Sequence, residues 1–121
     1  MSLSAVHLAY HLLIPGLIAF LFFKKRWRQA WLIMVLTMAV DFDHLMANPV
    51  YDPNRCSINF HPLHSYIAII FYCILTVIPK FRMIGVGLLL HMAIDLGECF
   101  RIQNICSLLF VEAFKPWLAF L

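Results

Sequence analysis

Four long apolar runs dominate this chain and restrict what it can fold into. They cover about residues 5–23, 30–46, 62–78 and 83–99, and each approaches the ~20 apolar residues that a helix needs to cross a bilayer. Only 12% of the residues are charged and the mean hydropathy is +0.88, whereas soluble domains carry about 25% charged residues. We therefore predict an all-α, polytopic membrane bundle with four transmembrane helices, formed as one domain over residues 1–121.

The C-terminal segment, residues 102–121, is apolar but interrupted. Glu112, Lys115 and Pro116 break its hydrophobic pattern. A segment of this kind fits a short fifth crossing, a re-entrant piece or a helix on the membrane surface. We predict a separate segment after the fourth helix and leave these three forms open.

The basic residues cluster in two turns between apolar runs, residues 24–28 and 80–82. Cytoplasmic loops of membrane proteins are enriched in Lys and Arg. This predicts a multi-pass protein of a bacterial inner membrane, with the opposite ends of its helices facing the periplasm. Cations confined to two turns do not form a nucleic-acid-binding surface, so we expect membrane lipids as partners and no nucleic acid.

With this orientation, histidines and aspartates from all four helices fall in one layer near the outer boundary. At a rise of about 1.5 Å per residue they lie within roughly 15 Å of that boundary. They occur in pairs three or four residues apart, and such pairs share one face of a helix. The pairs are His7 with His11, Asp41 with His44, His61 with His64, and His91 with Asp95.

Imidazole and carboxylate groups gathered in one layer indicate a metal site. Ionisable groups inside a bilayer are costly unless they turn inward and find partners. Mixed nitrogen and oxygen ligands suit zinc, manganese or iron, and the absence of cysteine from the pairs argues against a closed structural zinc site. We predict that all eight paired residues bind a divalent metal, with zinc favoured over manganese or iron, as one ion or two. Water acidified by such a metal can attack a phosphoryl or acyl centre.

Two further acidic residues lie beside these pairs. Asp43 cannot share a face with Asp41 on a regular helix, so it is expected to contact the ligands, to bind a second ion or to lie in an unwound helix end. Glu98 lies one helical turn beyond Asp95. Asp43 and Glu98 are the candidate general bases.

Other polar residues of the outer face indicate a functional role less strongly. Arg55 and Arg101 flank the predicted metal layer and are predicted to bind a substrate phosphate. Ser65 follows His64; it is a candidate nucleophile, although a serine at this place is more typical of a helix start.

The four cysteines form no C-x-x-C motif. Cys56 is expected on the outer side, where an oxidising compartment permits a bridge to Cys99 or to Cys106. Cys73 lies within the third run and is predicted to be a small buried apolar residue.

The polar blocks of the chain resemble those of an uncharacterised family of small bacterial inner-membrane proteins. The blocks are DFDHL at 41–45, DPNRCSI at 52–58, FHPLHS at 60–65 and HMAID at 91–95. The resemblance extends from His7 to about Cys99.

More distantly, the order of these blocks is similar to that of the LexA-regulated, membrane-bound metal-dependent hydrolases, the YdjM-like family, which carry P-D-x-D-H, H-R-x-x-x-H-S and H-x-x-x-D. This sequence differs in having Val40 in place of the proline and a shorter spacing from His61 to His64. The resemblance implies a metal-dependent hydrolase related to zinc phospholipase C and nuclease folds. The residues that match the motifs are Asp41, Asp43, His44, His64, His91 and Asp95.

The sequence thus predicts a membrane-embedded metal-dependent hydrolase, a phosphoesterase acting on a lipid or lipid-linked phosphate at the non-cytoplasmic face. A transporter of divalent cations or protons is the first alternative, because such proteins also use clustered His and Asp residues. The apolar cytoplasmic halves of the helices disfavour it. A di-iron oxidase-like protein is the second alternative, suggested by His7-x-x-x-His11 and His61-x-x-His64. A monomer and an oligomer are both compatible with the sequence.

Overall fold

A computed structural model describes residues 3–48 and 55–118 of the chain, with side chains in 5–48 and 55–101. All regular structure in these ranges is helical, which confirms the all-α prediction. The elements in chain order are helix α1 (Leu3–Phe22), a 3-10 turn (Lys24–Arg26), α2 (Trp27–Leu36), a 3-10 helix (Thr37–Met46), a second 3-10 turn (Pro62–His64), α3 (Tyr66–Val77) and α4 (Arg82–Leu118).

The second predicted helix changes its winding halfway. The α-helical part ends at Leu36, and the Thr37 hydroxyl donates a hydrogen bond to the Met34 carbonyl. Threonine side chains that bond to the preceding turn in this way compete with the regular α-helical pattern. The following 3-10 helix has three residues per turn, so Asp41 and His44 lie on the same side of it, as the sequence spacing predicts.

The third helix begins later than the sequence predicts. Residues 62–64 form the 3-10 turn, and Ser65 has extended backbone angles (φ −71°, ψ 158°). The Ser65 hydroxyl oxygen accepts a hydrogen bond from the Ala68 N–H at 3.2 Å, which is the N-cap interaction that starts an α-helix. His61 and His64 therefore precede α3 instead of forming its first turn.

The expected break before residue 102 is wrong, because α4 runs without interruption from Arg82 to Leu118. The residues around the expected break include no glycine or proline between Phe100 and Ile105. Polar residues without such helix breakers do not end a helix. The predicted fifth segment is thus a continuation of the fourth helix.

At the end of the bundle away from the histidines, the helices are in close contact. A Cβ atom on Gly85 would lie 2.5 Å from the Thr76 backbone nitrogen, and one on Gly87 would lie 2.9 Å from the Met34 Cα. Both glycines therefore let α4 approach α3 and α2 more closely than any side chain would allow. The core at this end consists of Ala19, Ala30 and Met34, a set of mostly small apolar residues.

The described part of the chain buries several polar side chains beside its apolar core and exposes many large apolar side chains. The buried polar side chains are His11, Asp43, His61, His64, His91 and Asp95. Large apolar side chains such as Phe22 and Ile67 are 73% and 82% exposed. Soluble proteins place such groups the other way round, so this surface suits an apolar solvent.

Two of the described helices are long and apolar enough to cross a membrane by length and composition, in the windows Ala5–Phe22 and Arg82–Arg101. Only 17% and 33% of these windows are buried, so neither resembles the core helix of a soluble domain. Helix Tyr66–Val77 is apolar but shorter. The four predicted crossings are thus not confirmed.

Candidate metal centre

Four ligand atoms from three parts of the chain meet at one point in the described interior. The 3-10 helix contributes Asp41, the turn before α3 contributes His64, and α4 contributes His91 and Asp95. His64 Nε2 lies 3.0 Å from Asp95 Oδ2 and 3.3 Å from Asp41 Oδ1. His91 Nε2 lies 3.0 Å from Asp41 Oδ1 and 3.3 Å from Asp95 Oδ2. We call these four residues the first ligand group.

The spacing of these atoms fits coordination of one ion. Ligand bonds of about 2.0–2.1 Å at tetrahedral angles place neighbouring donor atoms about 3.3 Å apart. The His64 and His91 Nε2 atoms are themselves 3.4 Å apart, and a neutral imidazole offers only one N–H. Two nitrogen lone pairs and two carboxylate oxygens aimed at one point could hold a metal ion.

A second ligand group lies beside the first. His7 and His11, one turn apart on α1, each place Nε2 at 3.2 Å from Asp95 Oδ1. The two Nε2 atoms lie 3.1 Å from each other. His11 and Asp95 are buried, and His7 is 34% exposed. This group has three donor atoms and one side that is open to the surroundings.

Asp95 belongs to both groups through different oxygens. Its Oδ1 faces the two histidines of α1, and its Oδ2 faces His64 and His91. His7 and His11 share one helix face in the structure, as do His91 and Asp95. The sequence predicts both pairs correctly because they lie in regular α-helix. The α1–α4 contact brings the two pairs together.

Asp43 holds His64 in place from the side opposite the ligand group. Its Oδ2 accepts hydrogen bonds from His64 Nδ1 at 3.1 Å and from the Leu63 N–H at 2.9 Å. A carboxylate in this position keeps the hydrogen on Nδ1 and leaves Nε2 free to bind a metal. Of the expectations for Asp43, the structure fits a residue that contacts a ligand.

The structure also brings His44 together with Asp43 and His64 as a third set of possible ligands, whereas His61 lies beside these sets. His44 Nδ1 lies 3.1 Å from Asp43 Oδ1, and its Nε2 faces the Ser57 hydroxyl at 3.1 Å. The His61 ring stacks on His44 with centroids 3.9 Å apart. The pKa of His61 lies below its ordinary value because burial disfavours the imidazolium and because His44 stands beside it.

Glu98 and Arg101, the predicted general base and phosphate ligand, form an ion pair with each other on α4. They line the mouth of a cleft of about 430 Å³ between α1 and α4 that also reaches His7. Arg55 lies over the ring of Phe60, with its guanidinium carbon 4.8 Å from the ring centroid. Glu98 is thus near the second ligand group, while Arg55 lies in the loop before α3.

A disulfide joins the loop before α3 to α4. It links Cys56 to Cys99, 43 residues apart, with a Cα–Cα distance of 4.9 Å. This is one of the two pairings expected from the sequence. Cys73 is exposed, so its predicted burial is wrong; it lies on the outward face of α3, whose surroundings the sequence alone does not specify.

Ser57 is the residue of this region that sequence reasoning missed. It lies in the DPNRCSI block, but a single loop serine carries no spacing signal that would connect it with His44, thirteen residues earlier. Ser65, the candidate nucleophile predicted from its position after His64, serves as the N-cap of α3.

These features define a class of protein: a helical bundle with an apolar surface whose buried histidine and aspartate groups could hold a metal ion. The chain belongs to the family of unknown function DUF6122, whose model matches residues 1–102. This supports the expected membership in an uncharacterised family. All residues of the two ligand groups fall within the matched range. Neither the curated proteins nor the solved structures that were searched contain a match.

Proposed function

We propose that this protein is a membrane-embedded, metal-dependent hydrolase that cleaves a lipid phosphate or lipid-linked phosphate ester at the non-cytoplasmic face. The observation that carries the proposal is the Asp95 carboxylate, whose two oxygens belong to two separate groups of ligands. A carboxylate shared in this way is how two-metal hydrolases hold ions about 3.5–4 Å apart.

The two groups differ in a way that suits catalysis. The first has four protein donors, which complete a tetrahedral zinc site. The second, His7, His11 and Asp95, has three donors, the number found in catalytic zinc sites that keep one position for water or substrate. Water bound there would lose a proton near neutral pH and attack phosphorus. Zinc fits these nitrogen and oxygen donors best, with manganese or iron as substitutes.

The resemblance to the YdjM-like hydrolases supports the same conclusion. The residues that match its motifs include all four members of the first ligand group, Asp41, His64, His91 and Asp95. They also include Asp43, which orients His64. Five of the six motif positions therefore correspond to contacts around one centre.

Exposed apolar side chains and helix lengths support a location in the membrane. In addition to the apolar windows in α1 and α4, the chain has a third long helical stretch. It consists of α2 and the 3-10 helix that directly follows it, with 10 residues in each. At about 1.5 and 2.0 Å per residue they extend about 35 Å together, more than the ~30 Å hydrocarbon core. The basic turns lie at the end away from the ligand groups, so the positive-inside rule puts the metal centre at the periplasmic side.

The cleft between α1 and α4 supports a lipid substrate. Its walls are mainly apolar and include Tyr10, Ile14 and Ile94, while His7 of the second ligand group lies on its edge. Arg101 stands at its mouth. An acyl chain along these walls would bring its phosphate to the open side of the second group, with a guanidinium near by to bind phosphate oxygens.

The proposal is tested by metal analysis and phosphate release. We expect protein purified in mild detergent to contain two divalent ions per chain and to release phosphate from phosphatidic acid in mixed micelles. Asp95→Ala removes the oxygen ligand of each group and is expected to lose both ions and the activity. Glu98→Gln, outside both groups, is the control for metal content. A wild-type protein without bound metal, or an Asp95→Ala variant that keeps both ions, contradicts the proposal.

A di-iron oxidase-like function is the second candidate, because a bridging carboxylate with histidine ligands is also the pattern of di-iron proteins. It predicts iron as the native metal and an iron-dependent absorption band in the purified protein. Transport of cations or protons lacks such support, since the described core at the far end of the bundle is Ala19, Ala30 and Met34.

A further inference from the structure

A serine, a histidine and an aspartate form a hydrogen-bonded chain beside the metal centre. The Ser57 hydroxyl oxygen lies 3.1 Å from His44 Nε2. On the other side of the ring, His44 Nδ1 lies 3.1 Å from Asp43 Oδ1. Serine nucleophiles are activated by this order of groups, in which the histidine takes the hydroxyl proton and the carboxylate orients the histidine.

The neighbours of His44 determine where its hydrogen is. Nδ1 faces two oxygens at 3.1 Å, the Asp41 carbonyl and Asp43 Oδ1. A nitrogen between acceptors carries the hydrogen, so in the neutral ring Nε2 has the lone pair. The Ser57 hydroxyl therefore donates to His44, which is the ground-state arrangement of a nucleophile and its base. It also means that His44 does not use Nε2 for the first ligand group.

Ser57 is held in place from several sides. Its carbonyl accepts hydrogen bonds from the Phe60 and His61 N–H groups at 3.2 and 3.3 Å, and the preceding residue, Cys56, is bonded to Cys99 of α4. The His61 ring packs on His44, which fixes the plane of the imidazole. Ser57 itself is only half-buried, so the residue is not enclosed in the interior.

We propose that Ser57 is a catalytic nucleophile that takes an acyl or phosphoryl group from an ester, with His44 as its general base and Asp43 as the residue that positions His44. In the step, Ser57 Oγ forms a bond to the carbonyl carbon or phosphorus, and its proton passes to His44 Nε2. The bond to the leaving alcohol breaks, and the alcohol receives that proton. Water, activated by the same nitrogen, then hydrolyses the ester on Ser57 and regenerates the hydroxyl. This activity goes beyond the proposed metal hydrolysis, since none of its steps uses a metal.

The probe for this inference is an alkyl fluorophosphonate, which modifies activated serines covalently. We expect the purified full-length protein to gain one adduct mass, located on Ser57 by peptide mapping and absent from Ser57→Ala. Ser65→Ala is the matched control, because Ser65 only caps α3, and it should react like wild type. His44→Gln should lower the rate of labelling at least about 100-fold, the lower range for loss of a general base.

Burst release of p-nitrophenol from p-nitrophenyl butyrate or from p-nitrophenyl phosphate then identifies the group transferred. Absence of an adduct, an adduct on another residue, or unchanged labelling of His44→Gln overturns the inference. Ser57 is not a ligand in either group, so Ser57→Ala should keep its metal. A protein that binds metal but is not labelled thus contradicts only the proposed role of Ser57. A protein that is labelled but binds no metal contradicts only the proposed metal-dependent hydrolase.

Discussion

Asp95 is the residue that the first and second ligand groups share, whereas every other residue of these two groups belongs to only one of them. His64 Nε2 contacts only the oxygen on one side of this carboxylate, and His7 Nε2 contacts only the other oxygen. The number of bound ions is therefore expected to change stepwise with the residue that is removed.

Single substitutions of histidine test this dependence. We expect His64→Ala and His7→Ala each to reduce the metal content from two ions to one per chain, in contrast to the complete loss in Asp95→Ala. Loss of both ions in each histidine variant would mean that the two groups bind metal as one unit. Metal analysis of the detergent-purified variants, with thermal unfolding to verify that each variant is folded, decides between these outcomes.

Sequence spacing predicts which candidate ligands share one helix face where the backbone is regular. His7 with His11 and His91 with Asp95 are single turns of α-helix, so the sequence alone was enough to put each pair on one face. His61 and His64 behave differently, because Pro62 and the N-cap at Ser65 create a 3-10 turn in which only His64 reaches the first ligand group. The position of Ser57 depends on how a loop folds against the 3-10 helix, and no periodic pattern records such a contact.

At the scale of helices, α4 contributes more to the candidate site and its packing than any other described helix. It supplies two ligands, one half of the disulfide, one wall of the cleft and both glycines of the close contacts. The sequence predicted a helix over residues 83–99 but not its continuation to Leu118. The change of composition after residue 101 predicts a break there, but no helix-breaking residue accompanies it.

Gly85 tests the close packing of α4 on α3. A methyl group at this position would lie 2.5 Å from the Thr76 backbone nitrogen, so the helices must move apart in Gly85→Ala. We expect a loss of about 1–3 kcal/mol, the usual cost of overpacking, seen as a lower midpoint of thermal unfolding in detergent. Gly97→Ala is the matched control, because a Cβ there meets nothing within 4 Å. Equal midpoints for the two variants would contradict the packing role of Gly85.

Gly97 tests the cleft between α1 and α4. Since space is open around it, Gly97→Leu should fold normally and fill part of the cleft with a side chain. We expect about a 10-fold fall in the rate for a long-chain lipid phosphate relative to a short-chain analogue, a typical effect of altered apolar pockets. Metal content should stay at the wild-type value. An unchanged ratio of the two rates would show that acyl chains bind elsewhere.

At the scale of the whole molecule, the disulfide closes a large part of the chain. It joins Cys56 to Cys99 across 43 residues, which include the 3-10 turn, α3 and most of the described ligand region of α4. Bridges of this kind typically contribute about 2–4 kcal/mol to stability. We expect a clear decrease in the thermal midpoint on reduction or in Cys99→Ser, measured in detergent.

Cys73→Ser provides the control for this measurement, since Cys73 is exposed and free of the bridge. Its midpoint should equal that of wild type under both oxidising and reducing conditions. A reduced wild-type protein with an unchanged midpoint would mean that helix packing alone holds the loop in place.

The bridge also has a consequence for metal selectivity. Thiolates are soft ligands that favour Cu(I) and compete strongly for zinc. Before oxidation, the thiols of Cys56 and Cys99 lie near the histidine and aspartate cluster. Oxidation converts both sulfurs into a form that no longer offers a thiolate. Among the described residues, the oxidised chain then presents imidazole nitrogens and carboxylate oxygens at this end, so the redox state of its compartment would influence which metal ion could bind there.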